Sequence, residues 1–337
     1  MNKQILVTGG AGYIGSHTIA QLGEAGYEIV VYDNLSTGAS GALTYGTLVT
    51  GDLADRQQLS QVFANYNFDA VLHFAASISV PESVIKPLDY YSNNTANTLN
   101  LLHCCDRFGV NKLIFSSTAA VYGQPKVNPI TEATLPEPLN PYGSSKLMSE
   151  RLIRDYAIAA DLRYVILRYF NVAGAQMSGK LGQSGKKATH LIKVACDAAL
   201  GQRPHMNIFG TDFDTPDGTG IRDYIHVDDL ARAHVDALAY LDIAQQPSQI
   251  LNCGYGQGYS VRQVIETVKE ISGVDFKVIE SPRREGDPAC VIAAAAQIGQ
   301  TLGWKPRFND LDTIVRSALA WEKKLIANAS LVGELVK

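Results

Sequence analysis

The amino-acid sequence predicts an α/β protein built on a doubly wound parallel sheet, followed by a second, smaller mixed α/β domain. In the first half, short runs rich in β-branched residues alternate with segments of helical periodicity, as in consecutive βαβ units. A glycine-rich turn joins the first of these strands to the first helix. After Asn171 the alternation of strands and helices gives way to loops rich in glycine, serine and charged residues, which indicates a second domain.

The periodicity predicts the elements in chain order. Strands are expected at residues 5–8, 28–32, 47–50, 70–74, 112–116 and 164–168, and helices at 13–25, 56–66, 91–108 and 141–159. Beyond them we expect a loop or lid at 173–187, a helix at 191–200, a polar loop at 210–220 and a helix at 228–241. We place a domain boundary after residue 172, which gives domains at 1–172 and 173–337. Segments near 221–255 are candidates to pack back on the first domain.

Composition and charge narrow the classes of function. Of the 337 residues, 46% are hydrophobic and 18% are charged, as in ordinary soluble proteins. The net charge of -4 offers no general attraction to nucleic acid or to an anionic membrane, so ligand phosphates must be held by local donors. We find no secretory signal pattern and no apolar run of membrane-spanning length. Five cysteines without metal-site spacing predict reduced thiols in a cytoplasmic protein, and no metal site.

The glycine-rich turn reads GGAGYIG and places Gly9, Gly12 and Gly15 between the first predicted strand and the first helix. Glycine permits a tight turn and lets the backbone approach a pyrophosphate closely. The unpaired amides at the start of the helix favour an anion there. Because the motif opens a βαβ unit, the sequence predicts a dinucleotide site.

Two aspartates end the next two predicted strands. Asp33 stands where a carboxylate grips both ribose hydroxyls of adenosine and repels a 2′-phosphate, which favours NAD over NADP. The alternative for Asp33 is a role in capping the turn that it begins with Asn34. Asp52 is equally suited to facing the adenine amino group or to a structural place in its loop.

Tyr142 and Lys146 are four residues apart in a predicted helix and therefore lie on the same face. Tyrosine is a poor base at neutral pH, but a nearby ammonium and an oxidised nicotinamide both favour the phenolate. Thr118 follows the fifth predicted strand, at the edge where such sheets bind ligands, and its hydroxyl can relay a proton. A lone pair of this spacing is usually a surface pair. Together with the glycine turn, the three segments predict one catalytic site.

Longer motifs accompany these residues. They are HFAA at 73–76, YYSNN at 90–94, SSTAAVYG at 116–123, RYFNVAG at 168–174, DGTGIRDYIHV at 217–227 and RREGD at 283–287. With the glycine turn and the Tyr142/Lys146 pair, the sequence resembles the extended short-chain dehydrogenase/reductase superfamily, and within it the UDP-glucose 4-epimerases. The resemblance runs to about Trp304.

The resemblance implies a Rossmann-type NAD-binding domain at 1–172 and a UDP-sugar-binding domain at 173–337. The implied enzyme is an NAD-dependent UDP-hexose 4-epimerase, an isomerase of galactose metabolism. Such enzymes interconvert UDP-galactose and UDP-glucose through a transient 4-keto sugar, with NAD tightly bound throughout. Tyr142 then takes the proton of the 4-hydroxyl while C4 gives hydride to NAD. The resemblance also implies a homodimer paired through the helices at 91–108 and 141–159.

The resemblance assigns site residues one by one. The implied catalytic residues are Thr118, Tyr142 and Lys146. The implied cofactor contacts are Gly9, Gly12, Tyr13, Ile14, Gly15, Asp33, Asn34, Asp52, Leu53, Phe74, Ala75, Ala76, Asn93, Ser116, Tyr142, Lys146 and Phe170. The implied substrate contacts are Thr118, Asn171, His190, Leu191, Asn207, Phe209, Arg222, Tyr224, Arg284, Asp287 and Val291.

Within the substrate set, Asn207 and Phe209 are implied to bracket the uracil. Arg222 and Arg284 resemble clamps on the diphosphate, where a planar guanidinium suits bidentate contact. Asp287 resembles the acid that holds the uridine ribose. Without the resemblance, each arginine would be read as half of a surface ion pair.

Several positions depart from patterns of the superfamily. Ala119 and Ala120 stand where dehydratases carry Asp-Glu, which disfavours elimination of water. Ala76 and Ile78 replace a common glycine and a lysine of some epimerases. His190 replaces an asparagine common in the diphosphate site, with a place at a helix start as the alternative.

Val291 falls where the family places a hexose-facing residue. Because valine is small, we hypothesise room for a 2-acetamido group and acceptance of UDP-N-acetylglucosamine and UDP-N-acetylgalactosamine. The alternative is that Val291 only packs in the second domain. Two other functions stay open: a UDP-sugar 4-epimerase acting on glucuronate or a pentose, and a non-catalytic NAD-binding sensor.

Overall fold

The computed structural model describes residues 3–184, 189–243, 247–284 and 286–335. The strands are β1 (Gln4–Thr8), β2 (Glu28–Asp33), β3 (Thr47–Thr50), β4 (Ala70–His73), β5 (Lys112–Ser116), β6 (Arg163–Tyr169), β7 (Asn171–Ala173), β8 (Met206–Phe209), β9 (Ile221–His226), β10 (Gln249–Cys253), β11 (Gly258–Ser260), β12 (Val278–Ser281) and β13 (Cys290–Val291). The helices are α1 (Tyr13–Glu24), α2 (Arg56–Asn65), α3 (Val80–Ile85), α4 (Pro87–Tyr90), α5 (Asn97–Phe108), α6 (Pro141–Ala159), α7 (Leu191–Ala199), α8 (Val227–Asp242), α9 (Val261–Ser272), α10 (Ala296–Leu302) and α11 (Leu311–Leu335). Short 3-10 helices lie at Ser40–Ala42 and Ala119–Tyr122, and a π-helix lies at Tyr91–Ala96.

Seven parallel strands form the central sheet, in the order β10-β6-β5-β4-β1-β2-β3. From β1 the chain first builds outward to β2 and β3, then returns to the other side of β1 with β4, β5 and β6. The direction in which successive strands are added to the sheet therefore reverses between β1 and β4. In open α/β sheets, ligands bind beyond the carboxyl ends of the strands at such a reversal.

Both faces of the central sheet are covered. Ile5 and Val7 belong to the hydrophobic core on one face, together with α1 and α8, whereas Leu6 between them belongs to the core on the other face with α2, α5 and α6. Burial on both sides explains why the strands are continuous apolar runs and were recognisable in the sequence.

The smaller sheets are formed by later segments. Parallel strands β7 and β13 and antiparallel β11 pair with β9, while β8 pairs with β12. Helices α7, α9 and α11 pack around a third core with these strands. The register sets Asn171 opposite Tyr224 and Val291 opposite Arg222, so four of the predicted substrate residues share one small sheet.

The predicted fold class is confirmed, with a doubly wound parallel sheet and a smaller mixed part. The region predicted as one helix at 91–108 begins instead as the π-helix and continues as α5. Helix α8 packs against α1, and β10 joins the central sheet beside β6. The division at residue 172 stays a prediction. Residues 185–187 of the predicted lid lie outside the described residues.

Candidate active site

A cavity of about 1240 Å³ opens beyond the carboxyl ends of the central strands and extends to the small sheet around β9. Most of the predicted site residues line it. They are Gly9, Gly12, Tyr13, Ile14, Gly15, Asp33, Asn34, Asp52, Leu53, Phe74, Ala75, Ala76, Asn93, Ser116, Thr118, Tyr142, Phe170, Asn171, His190, Arg222, Arg284, Asp287 and Val291. The cavity thus joins the predicted cofactor, catalytic and substrate residues in one continuous space.

The glycine turn forms one end of the cavity. Gly9 adopts a left-handed φ of +71°, and a Cβ there would stand 2.4 Å from the backbone nitrogen of Ala75. A Cβ on Gly15 would stand 2.5 Å from the carbonyl oxygen of Gly9. Helix α1 starts after Gly12 with no side chain capping its first amides. This end therefore offers close backbone and free N–H groups, the features that bind a pyrophosphate.

Asp33 is buried at the end of β2 and lines the cavity. Its Oδ2 accepts a hydrogen bond from the amide of Ala11 at 2.9 Å, and its Oδ1 accepts from the amide of Leu35 at 2.8 Å. Asn34 donates to Asp52 at 2.8 Å. The turn-capping role of Asp33 and its place in the cavity thus coexist, because the carboxylate holds the glycine turn while facing the open space.

The predicted catalytic residues come from two elements. Asn140 caps α6 by accepting from the amide of Gly143 at 2.9 Å, and Tyr142 lies in the first turn of that helix. The ammonium of Lys146, one turn further, stands 4.2 Å from the centre of the Phe115 ring. Lys146 lies beside the cavity rather than in its lining.

Thr118 caps the short helix that follows β5, and its hydroxyl accepts from the amide of Ala120 at 3.1 Å. Thr118 also lies close enough to Tyr142 for a side-chain hydrogen bond to act on the pKa of the tyrosine. The strand end and the α6 start are therefore in direct contact, as the sequence predicts.

Burial dominates the electrostatics of this group. It raises the pKa of Tyr142 above its ordinary value, and the hydrogen bond with Thr118 opposes that rise. It lowers the pKa of Lys146 to about 7, against the charge of Glu150. The expected lowering of the tyrosine pKa is not produced by the chain's own groups, because burial outweighs the hydrogen bond and Lys146 is itself desolvated.

The far end of the cavity carries the charged members of the predicted substrate set. Arg222 Nη2 lies 3.0 Å from Asp287 Oδ1, and Arg222 Nη1 donates to the carbonyl of Ile221 at 2.8 Å. The guanidinium of Arg284 stacks 3.8 Å above the centre of the Phe209 ring. Two guanidinium groups and one carboxylate thus line this end of the cavity, which suits a ligand with phosphates and hydroxyls.

Four predicted substrate residues do not line this cavity: Leu191, Asn207, Phe209 and Tyr224. Leu191 starts α7, and Tyr224 is buried in β9, where burial raises its pKa. Asn207 and Phe209 lie on β8. The Oδ1 of Asn207 is buried without a hydrogen-bond partner in the described part of the chain.

Sequence reasoning missed part of the cavity wall. The segment 77–82, leading into α3, lines the cavity, and Ser77 Oγ accepts from Asn93 Nδ2 at 3.0 Å. The small-residue run after β4 is the signal that could have found it. Asn93 stands in the π-helix, a geometry frequent at functional sites.

His73 was recognised only as part of a motif. Its ring is buried below the site, with Nδ1 2.7 Å from Thr8 Oγ1 and Nε2 3.1 Å from Thr98 Oγ1. Burial and the nearby Lys146 lower its pKa to about 3, so it stays neutral.

In the described parts of the chain, no helix is long and apolar enough to cross a membrane. Within the same residues, no group of His, Cys, Asp or Glu is placed to hold a metal ion.

A doubly wound sheet, a glycine turn at its first crossover and a Thr/Tyr/Lys group at its carboxyl edge define a dinucleotide-dependent enzyme. Residues 5–254 match the NAD dependent epimerase/dehydratase family, and the chain belongs to that family. The UDP-glucose 4-epimerase of Azospirillum brasilense is 54% identical over 333 residues, which cover 98% of this chain and 95% of that protein.

Two solved structures show the same fold. The UDP-glucose 4-epimerase from Brucella ovis in complex with NAD has a TM-score of 0.91 and 45% identity, covering 94% of this chain and 97% of that one. The UDP-Glc/GlcNAc 4-epimerase from Campylobacter jejuni has a TM-score of 0.84 and 50% identity, covering 96% of this chain and 100% of that one. The resemblance drawn from the sequence motifs is confirmed.

Proposed function

We propose that this chain is an NAD-dependent 4-epimerase that interconverts UDP-galactose and UDP-glucose. The observation that carries the proposal is the single cavity that joins the glycine turn to Thr118 and Tyr142, and these to Arg222 and Asp287. A dinucleotide and a nucleotide sugar can meet at the tyrosine only if one space connects both ends. Relatives at 54% and 45% identity carry the name UDP-glucose 4-epimerase.

The residues present fit NAD. Glycine is needed at positions 9 and 15 to close the tight turn, because a Cβ there would collide with the backbone of Ala75 or of Gly9. The turn leads into the uncapped amides at the start of α1, which suit a pyrophosphate. The Asp33 carboxylate stands at the end of β2, where it favours ribose hydroxyls over a 2′-phosphate. When bound, NAD supplies a hydride acceptor for C4 of the hexose and a positive charge that favours a tyrosine phenolate.

The chain's own residues move the proton. The phenolate oxygen of Tyr142 accepts the proton of the 4-hydroxyl as that carbon is oxidised, and later returns it. Thr118, which lies beside Tyr142, orients the same oxygen. Lys146, one turn further along α6, is the cation that we assign to this group. General acid–base assistance of this kind contributes about 10²- to 10⁴-fold in rate.

In this proposal, the other end of the cavity binds the nucleotide tightly and makes few contacts with the hexose. Arg222 and Arg284 hold the diphosphate, and Asp287 holds the ribose. Inversion requires that the 4-keto sugar turn over while its nucleotide stays anchored. A site that fixed the hexose would act only as a dehydrogenase. We assign these functions to the second domain, residues 173–337, and NAD to residues 1–172.

The direct test is to incubate the purified protein with UDP-galactose, without added NAD, and to resolve the nucleotide sugars. We expect UDP-glucose to form, and Tyr142→Phe to lower kcat by about 10²-fold or more because the proton acceptor is lost. Wild-type protein that forms no UDP-glucose even after NAD is supplied would refute the proposal and favour another UDP-sugar or the sensor function.

A second candidate substrate follows from Val291. This residue lines the cavity from β13, and valine leaves more space there than an aromatic side chain. The Campylobacter jejuni relative is named a UDP-Glc/GlcNAc 4-epimerase. We propose that UDP-N-acetylglucosamine is also accepted. Turnover of this sugar should be lost in Val291→Tyr, while turnover of UDP-galactose persists; equal loss of both would contradict the assignment.

We further propose a homodimer paired through α5 and α6, in the cytoplasm. Leu99 on α5 and Met148 on α6 are 40% and 44% exposed, so each helix presents an apolar side chain to its outer face. Sedimentation should give twice the monomer mass for the wild type. Met148→Asp should shift it toward monomer, whereas Met177→Asp, at an exposed apolar position outside α5 and α6, serves as the matched control. All five cysteines are free.

A further inference from the structure

A buried ion pair lies one helical turn beyond Lys146 and does not line the cavity. Glu150 on α6 is 1% exposed and Arg168 on β6 is 2% exposed. Arg168 Nη2 lies 2.5 Å from Glu150 Oε2, and Arg168 Nε donates to Glu150 Oε1 at 3.0 Å. The pair therefore ties the helix that carries Tyr142 to the central sheet.

The pair also holds the chain on both sides of Thr118. Before it, the hydroxyl of Ser117 donates to Glu150 Oε1 at 2.5 Å. On the other side of Thr118, Tyr122 is the last residue of the short helix that Thr118 caps. The Tyr122 hydroxyl accepts a hydrogen bond from Arg168 Nη1 at 3.0 Å. One ion pair thus fixes the residues that flank Thr118 in sequence.

A further bond extends this network to the edge of the sheet. Tyr122 donates to Asn252 Oδ1 at 2.7 Å, and Asn252 Nδ2 donates to the carbonyl of Ile130 at 2.9 Å. Ser117, Tyr122 and Asn252 are all buried. A hydrogen-bond network whose members are paired in this way specifies one arrangement of the elements that carry it.

Stability alone is a poor explanation for such a pair. Removing two charges from water costs free energy that their attraction often fails to offset, and apolar replacements are frequently neutral or stabilising. Here each charged group also binds a residue close to Thr118 in sequence: Glu150 binds Ser117, and Arg168 binds Tyr122. In addition, the negative charge of Glu150 raises the pKa of Lys146, which burial lowers.

We propose that Glu150 and Arg168 are positioning residues for the reaction, which hold the Thr118 hydroxyl against the Tyr142–Lys146 turn of α6. The proposal rests on the proposed epimerase function. Misplacing a reacting group by about 1 Å costs on the order of 10²-fold in rate. Loosening this network should therefore slow the chemical step and leave substrate binding unchanged.

The test removes single hydroxyl groups and leaves the ion pair in place. For Tyr122→Phe and Ser117→Ala we expect kcat on UDP-galactose to fall about tenfold, with KM unchanged within twofold. Deuterium at C4 of the substrate should slow both variants more than the wild type, because hydride transfer becomes rate-limiting. The matched control is Tyr240→Phe, on α8. This change also removes one tyrosine hydroxyl from a buried side chain, where it donates to the Pro247 carbonyl at 2.9 Å, and Tyr240 does not line the cavity.

The outcomes are distinct. Slower turnover with a larger isotope effect in Ser117→Ala and Tyr122→Phe, and wild-type kinetics in Tyr240→Phe, supports the proposal. Wild-type kcat and isotope effect in a folded Ser117→Ala overturns it, whether or not Tyr122→Phe folds. An equal loss in Tyr240→Phe also overturns it, because the effect is then a general cost of lost hydroxyls. Absence of product from the wild-type protein would instead refute the proposed function itself.

Discussion

Gly9 lies where three segments of the chain meet. Its amide donates to the carbonyl of Tyr32 at 3.0 Å, its carbonyl accepts from the amide of Gly12 at 3.2 Å, and the backbone of Ala75 leaves no space for a Cβ. One missing side chain thus allows β1, β2 and the end of β4 to close around the cofactor end of the cavity.

We expect Gly9→Ala to lower the free energy of unfolding by about 3 kcal/mol and to abolish retention of NAD, since backbone strain adds to overpacking. Gly26→Ala is the matched control, because Gly26 also has a positive φ, +85°, but nothing within 4 Å of a Cβ. That change should cost only about 1 to 2 kcal/mol and leave NAD bound. Urea denaturation and chromatography of the released cofactor measure both effects; equal effects in the two variants would contradict the expectation.

The site residues differ in how far the sequence could place them. Tyr142 and Lys146 were predictable because helical spacing alone puts them on one face. Thr118 was predictable because it follows an apolar strand, β5, at the carboxyl edge of the sheet. The position of Asn207 and Phe209 outside the cavity lining was not, since it depends on pairing between β8 and β12, which lie about 70 residues apart in the chain.

At the scale of elements, α8 links the two parts of the molecule through its first turn. Asp229 there is fully buried, and its carboxylate accepts from the amides of Arg307 at 2.8 Å and Phe308 at 2.9 Å and from the Tyr255 hydroxyl at 2.7 Å. One side chain therefore anchors the segment between α10 and α11 to the helix that packs on α1.

We expect Asp229→Asn to lower the free energy of unfolding by about 3 kcal/mol, because an amide nitrogen would face donors that lose their acceptor. Asp236→Asn on the same helix is the control: its contact with Arg232 is 4.0 Å long and the side chain is 30% exposed. That change should cost less than about 1 kcal/mol. Chemical denaturation compares them, and similar losses would show that Asp229 is not an anchor.

The elements themselves were predicted unevenly. Strands of the central sheet follow from buried apolar runs, so six of the seven were recognisable in sequence. Helices α3 and α4 were missed because they are short and each begins with a proline in its first turn, without an apolar repeat. The π-helix at the start of the predicted 91–108 helix has the same residue pattern as an α-helix, and only its hydrogen bonds distinguish it.

At the scale of the whole molecule, buried histidines make stability depend on pH. Burial lowers the pKa of His73 to about 3 and that of His234 to about 4, from an unfolded value near 6.5. The unfolded chain therefore binds more protons below pH 6.5, and the stability present above that pH is lost as the pH falls toward 4. Asp223 acts in the opposite direction, because burial raises its pKa to about 6.

We expect His234→Phe to reduce the loss of stability between pH 6.5 and pH 4.5, by up to about 1.4 kcal/mol per pH unit. The difference from the wild type removes the contribution of Asp223, which both proteins share. Met177→Gln, which changes an exposed side chain without adding or removing a titratable group, is the control and should leave the pH dependence as it is. Urea denaturation across this range gives the slopes, and parallel curves for all three proteins would contradict the assignment.

The place of β10 beside β6 has a consequence for how the protein is made. During synthesis, β1 to β6 leave the ribosome well before residues 249–253, so the nascent sheet has an unpaired edge at β6. The face of α1 that later packs on α8 is uncovered over the same interval. A fragment ending at residue 172 would keep both surfaces permanently open, and it should aggregate even though it contains the whole glycine turn and Tyr142.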